Sequence, residues 1–216
     1  MKSTEKSWNS SWEKIFQKQN WGRYPPEELI RFVARNFYSK KRSNVKFLDL
    51  GCGPGACSWY IAREGFSVAG IDGSKTAINQ ARLLFKKEKI NGVFHVMDFV
   101  KLDFQDQSFD VVIDINAIQH NPIEKIPTIL DEIKRILKPG GILFSIIVGD
   151  GTTNKRLFDK KGFIHFYKIN EIKKMFKGFE IISIEKSMRT ENNRKEKIIH
   201  WIITSKKSEY SNQKKD

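Results

Sequence analysis

Cysteine is nearly missing from this 216-residue chain, which holds only Cys52 and Cys57. A disulfide framework or a zinc site would need more ligands or other spacing, so both thiols read as small packing residues and no metal is expected. Long apolar runs are missing as well. The longest, Ile142 to Val148, falls far short of the roughly 20 residues that cross a bilayer. No apolar segment follows the charged start Met1-Lys2-Ser3-Thr4-Glu5, so nothing marks the chain for secretion and a cytoplasmic protein without membrane contact is expected. Internal repeats and low-complexity blocks are absent. So is any basic cluster interleaved with aromatics, although the net charge is +14. The lysines are spread along the chain and concentrate only at Lys206-Lys207 and Lys214-Lys215, so nucleic acid is the less favoured partner and a small molecule the favoured one.

What is present is an alternation of short apolar runs with amphipathic segments. Val45 to Leu50, Ser67 to Ile71, Val93 to Met97, Phe109 to Ile115 and Gly141 to Val148 read as strands. Between them lie helices at Ala56 to Glu64, after the cap Ser74, and at Glu124 to Leu137. Strands joined by such helices pair in parallel through right-handed crossovers, which gives a doubly wound α/β sheet. A short helix opened by Asn170 follows. Phe179 to Glu185 and Ile198 to Thr204, separated by the charged stretch Arg189 to Lys197, then read as a closing antiparallel hairpin. The expectation is a seven-stranded, mostly parallel sheet in one domain over residues 1–205, with a helical cap at 1–44, a catalytic core at 45–205 and a basic flexible tail at 206–216.

The chemistry concentrates at the turn Asp49-Leu50-Gly51-Cys52-Gly53-Pro54-Gly55. Glycines there let the backbone turn sharply and approach a ligand closely, with a helix N-terminus behind. Asp72, at the end of the second strand, is an acidic residue placed to accept both hydroxyls of a ribose, so the two features together point to a nucleoside-like cofactor. A dinucleotide fingerprint spaces its glycines differently, yet Ala56 satisfies its last position, and the spacing alone leaves a dehydrogenase open. The turn Lys138-Pro139-Gly140-Gly141 and the position of Asp98 weigh against it.

These motifs resemble the class I S-adenosylmethionine (SAM)-dependent methyltransferases over residues 45–148, and more loosely to residue 204. Asp49 to Gly55 matches the family's first motif, Ile71-Asp72-Gly73-Ser74 its second and Met97-Asp98-Phe99 its third, while Phe109-Asp110-Val111-Val112 and Leu137 to Gly141 complete the set. The resemblance implies a Rossmann-like methyltransferase fold with SAM as cofactor. It implies that Gly51, Cys52 and Gly53 line the methionine end, that Asp72 binds the ribose, and that Asp98 and Phe99 hold the adenine, with Asp114 to His120 closing the pocket.

His120 follows the fourth strand and is a candidate general base for a substrate hydroxyl, or else a wall residue, with Gln119 and Asn116 as polar neighbours. Arg23 is a candidate partner for the SAM carboxylate, since a guanidinium meets a carboxylate at two points. Trp8, Trp12 and Phe16 recur at helical spacing, so a helix folding over the site is expected. His165 and Tyr167 are candidates for a substrate lid, with a structural role the plainer reading. The preferred activity is methyl transfer to a small-molecule oxygen or nitrogen, the alternatives being a tRNA or rRNA methyltransferase and a non-catalytic SAM-binding regulator.

Overall fold

The computed structural model describes residues 7–19, 21–153 and 164–209. Seven strands are formed, β1 (Lys46–Leu50), β2 (Ser67–Asp72), β3 (Val93–Val96), β4 (Phe109–Ile115), β5 (Leu137–Val148), β6 (Glu180–Glu191) and β7 (Glu196–Lys206). Among the described residues, six α-helices accompany them: α1 (Ser11–Lys18), α2 (Glu27–Phe37), α3 (Ala56–Arg63), α4 (Lys75–Glu88), α5 (Ile126–Ile136) and α6 (Ile169–Met175). The strands make one sheet in the order β3-β2-β1-β4-β5-β7-β6. β1 to β5 pair in parallel, and β7 joins β5 and β6 antiparallel. The chain builds outward from β1 to β3 and then returns to lay β4 on the other side of β1. A sheet that reverses its order in this way leaves a crevice at the carboxyl ends of the strands on either side of the switch.

Strands buried on both faces explain the near-continuous apolar runs. In β4, Val111 and Ile113 join Phe47 and Phe144 in the layer under α2, while Val112 joins Leu48 and Leu143 in the layer under α5. The helices match this with one apolar stripe each. α5 buries Ile126, Ile129, Leu130, Ile133 and Ile136, a spacing of three and four that lines one side of a helix. α4 starts where the Ser74 hydroxyl accepts the Ala77 amide at 3.1 Å, and its last turn carries Lys86 and Lys87 against the carbonyl end of the helix dipole. α2 is fastened to the sheet by Phe32, whose ring stacks on Phe144 at 4.3 Å, and by Phe37, edge-on to Phe47 at 5.4 Å.

Several boundaries differ from the sequence expectation. The α6 helix begins at Ile169, with the Lys168 amide donating to the Glu171 carboxylate at 2.7 Å, so Asn170 lies inside the first turn and does not open it. The charged stretch Arg189 to Lys197 is not a loop, because cross-strand pairing continues to Glu191 and Glu196. Alternating charged residues suit strands with one solvated face, and the turn is confined to residues 192–195, where Asn192, Asn193 and Arg194 adopt positive φ. Lys206, expected to begin a flexible tail, is the last residue of β7, and Lys207 donates to the Leu137 carbonyl at 2.6 Å. Residues 210–216 of that tail lie outside the described residues.

Replacing Phe144 by alanine should cost about 3–5 kcal/mol of unfolding free energy in a urea titration, since it removes a buried ring from between β5 and α2. The control Leu83→Ala, on the exposed side of α4, should shift it by no more than about 0.5 kcal/mol.

Candidate active site

The turn after β1 is tied to β2 before any side chain takes part. The amides of Gly51 and Cys52 both donate to the Ile71 carbonyl, at 2.8 and 2.9 Å. Gly51 has φ +73°, and a Cβ there would stand 2.4 Å from the Cβ of Ala117 and 3.3 Å from the Phe99 ring. Only glycine fits that position. Asp72 holds the same turn from the other side, accepting the Gly53 amide at 3.0 Å and the Ser74 amide at 2.8 Å. Asp49, behind the turn, accepts the Ser58 hydroxyl at 2.6 Å.

The turn after β4 is equally determined. Asp114 accepts the amides of Ala117 and Ile118 at 2.9 and 3.0 Å, and Gln119 accepts the Val148 amide at 2.6 Å. Asn116 adopts φ +58° at its apex. The Asn116 carbonyl oxygen is buried with no hydrogen-bond partner among the described residues. His120 is 8% exposed, its ring edge-on to Trp12 at 4.8 Å.

Between these turns and the N-terminal segment lies a cavity of about 620 Å³. Its floor is Gly51, Gly53 and Asp72, and its inner wall Phe99, Asn116 and His120. α1 and the residues before it form the roof, as the aromatic spacing predicts. Trp8 lies so close over Gly73 that a Cβ on that glycine would meet the indole at 2.4 Å, and Phe16 covers Gly53. Glu13 fastens the roof to α4 by accepting from the hydroxyls of Ser74 and Thr76. Ser187 and Arg189 of β6 and Ile198 and His200 of β7 close the far end.

Of the residues named from sequence, Asp49, Gly51, Cys52, Gly53, Asp72, Gly73, Phe99, Asn116 and His120 line this one cavity. Arg23 does not. It pairs with Glu88 of α4 and lies 5.9 Å from the Trp59 ring centre, about half exposed, so its side chain is engaged outside the cavity that its neighbours Gly22 and Tyr24 line. Asp98 also stands outside the lining, its carboxylate accepting the amide and the hydroxyl of Ser7 and the Val100 amide. His165 and Tyr167 lie elsewhere. His165 bonds Glu171 at 2.9 Å and Tyr167 is buried in the layer that holds Ile172 and Phe176. The loop expected before them, residues 149–161, is described only to residue 153. Sequence reasoning missed Glu13, Glu28, Ser187, Arg189 and His200. The last three emerge only from the register of the hairpin, in which Ser187 faces His200 and Arg189 faces Ile198.

Burial raises the carboxyls of this site. Asp49 is pushed up to about 7, with Asp72 and Asp114 adding repulsion against the relief from Ser58. Asp72 and Asp114 are each pushed to about 6, burial outweighing the amides they accept. Among the described residues no lysine or arginine lines the cavity near Asp49 and Asp72. A positive charge placed beside a buried carboxyl favours its ionised form. Burial also raises both thiols, so Cys52 and Cys57 stay protonated and act as packing.

Residues 47–141 match a family model described as a methyltransferase domain. A ubiquinone biosynthesis O-methyltransferase of Pelagibacter ubique is 34% identical over 122 residues, 56% of this chain and 50% of that protein. A 2-methyl-6-phytyl-1,4-hydroquinone methyltransferase of Synechocystis is 39% identical over 97 residues, 44% of this chain and 30% of that protein. A sterol 24-C-methyltransferase of Debaryomyces hansenii is 31% identical over 142 residues, 59% of this chain and 37% of that protein. The chain thus spans half the length of these curated relatives, or less. Among solved structures, the fold matches a protein from the work "Conversion of a Disulfide Bond into a Thioacetal Group during Echinomycin Biosynthesis" with a TM-score of 0.76 at 19% identity, covering 93% of this chain and 92% of that one. TehB from Haemophilus influenzae matches with 0.70 at 20% identity, covering 91% of this chain and 67% of that one.

A carboxyl whose folded pKa is raised binds more protons folded than unfolded, so stability is lost as pH rises from its ordinary 3.8 through its folded value. Asp49→Asn, which can still accept from Ser58, should therefore gain stability relative to the parent between pH 4 and 7, by about 2–4 kcal/mol at the upper end. Urea midpoints of both proteins across that range, at constant salt, check this; a difference independent of pH would mean that Asp49 stays ionised in the fold.

Proposed function

We propose that the chain is a class I SAM-dependent methyltransferase, as its match to a methyltransferase-domain model supports, and that it methylates a small organic acceptor with an apolar or aromatic body, at oxygen or nitrogen. The residues present fit the cofactor. The glycine turn offers a surface without side chains, Asp72 keeps lone pairs for ribose hydroxyls beyond its two amides, and the unpartnered Asn116 oxygen accepts from a cationic amine. Phe99 would flank the adenine. For Asp98 to take the adenine amino group it must share with Ser7 or release it.

The observation that carries the reading is the continuity of the cavity. It runs from the glycine turn into an extension walled by Trp12, Trp21 and Tyr24 and roofed by α1. An aromatic extension suits a small molecule better than a nucleic-acid backbone, and among the described residues Arg189 is the only lysine or arginine in the lining despite the charge of +14. The names of the relatives, which concern ubiquinone, a hydroquinone and sterols, support the same substrate class.

SAM supplies a methyl already activated by its sulfonium, so the chain has chiefly to align the acceptor and exclude water. The rigid β4 turn positions Asn116 and His120, and the tryptophan roof shields them. His120, beside this turn, takes the proton of an acceptor hydroxyl. No helix among the described residues is long and apolar enough to cross a membrane, which accords with our placing the protein in the cytoplasm.

Calorimetry should give micromolar binding of SAM and of its demethylated product, and none of NADH. Asp72→Ala should weaken SAM by about 2 kcal/mol, a factor of about 30; unchanged affinity would remove the ribose assignment. His120→Ala should keep SAM affinity while release of demethylated product with a panel of phenols and quinols disappears. Retained turnover would make His120 a wall.

A further inference from the structure

The far end of the cavity carries charges of both signs, set apart from the glycine turn. Gly51 follows β1 and Asp72 ends β2, whereas His200 stands on β7 and Ser187 and Arg189 on β6. Three to four strand spacings separate β1 from β7 and β6, so this wall lies about 14–19 Å from the glycine turn. From β4, whose carboxyl end carries Asn116 and His120, it is about 10–15 Å. That is the span of a small acceptor laid along the aromatic extension, with one end at His120.

The wall is built by register. His200 lies opposite Val148 on β5 and opposite Ser187 on β6, and Arg189 follows two residues later on the same side. Alternation puts these side chains on the face that α2 covers, where Glu28 completes the lining. Glu28 and Arg189 carry opposite charges, and no ion pair joins them among the described residues. Among the described residues, Arg189 spends only its Nε, which donates to Glu191 at 3.1 Å, leaving both terminal nitrogens of the guanidinium. Burial lowers His200, with the charge of Arg189 lowering it further and that of Glu28 opposing, so both charges act on the one imidazole between them.

We propose that Glu28, Arg189 and His200 form the recognition site for a zwitterionic head group, so that the acceptor is an amino acid or a close derivative with an aromatic side chain that carries the accepting hydroxyl or amine at its far end. This rests on the methyltransferase reading above. The carboxylate meets the guanidinium of Arg189 with His200 and Ser187 beside it, the ammonium meets Glu28, and the side chain runs between Tyr24, Trp21 and Trp12 toward His120. A purely anionic head would face Glu28 unpaired, and a purely cationic one Arg189, so each half alone loses one contact and gains one repulsion.

The test uses the whole chain saturated with the demethylated cofactor and three probes that share a phenyl ring: L-phenylalanine, 2-phenylethylamine and 3-phenylpropionate. Calorimetry should show L-phenylalanine binding at least fivefold tighter than either half. Arg189→Gln should bring it down to the level of the amine and Glu28→Gln to that of the propionate, with cofactor affinity unchanged in both, which also reports that the variants fold. Equal binding of the three probes, binding of none, or variants indifferent to the head group would overturn the inference while leaving the methyltransferase reading intact. Failure of the parent to bind the demethylated cofactor would instead remove that reading, and this inference with it.

Discussion

The molecule is organised by the contact between Gly51 and Ala117, where the turn after β1 and the turn after β4 come so close that a methyl group on the glycine would have no room. That approach is possible because strand order reverses between β1 and β4, so two turns that leave the sheet side by side then diverge toward opposite faces. Each turn is fixed by a carboxylate from its neighbourhood, Asp72 for the first and Asp114 for the second. A backbone held by its own amides reorganises little when a ligand arrives, and that is what a site needs when its task is alignment.

The electrostatics follow from the same placement. Asp49, Asp72 and Asp114 lie in one buried region because β1, β2 and β4 are adjacent and end together. Burial disfavours three negative charges, and at Asp49 the other two carboxylates add repulsion. The electrostatic character of this end of the cavity is therefore a property of the sheet order and not of any single residue.

The parts of this structure visible in the sequence are those with a short period or a steric demand. The apolar runs located every strand, the glycines of the β1 turn and the Ser74 cap located the crevice, and the aromatic spacing before residue 17 located the roof. Arg23 and Asp98 fared differently for a physical reason. Both are surface-reaching polar side chains whose partners, Glu88 and Ser7, are 65 and 91 residues away in sequence, and no local pattern encodes such pairings. The acceptor wall was invisible because charged residues in alternation look the same in a solvated loop and in a strand with one wet face. Only the register of β6 on β7 shows which of them turn inward.

One short helix and the residues before it are fastened to Asp98 and to the start of α4, cover Gly73, and lean on His120 through Trp12. The floor and the inner wall of the cavity therefore share one cover, and a substitution that loosens its few N-terminal contacts is felt at both.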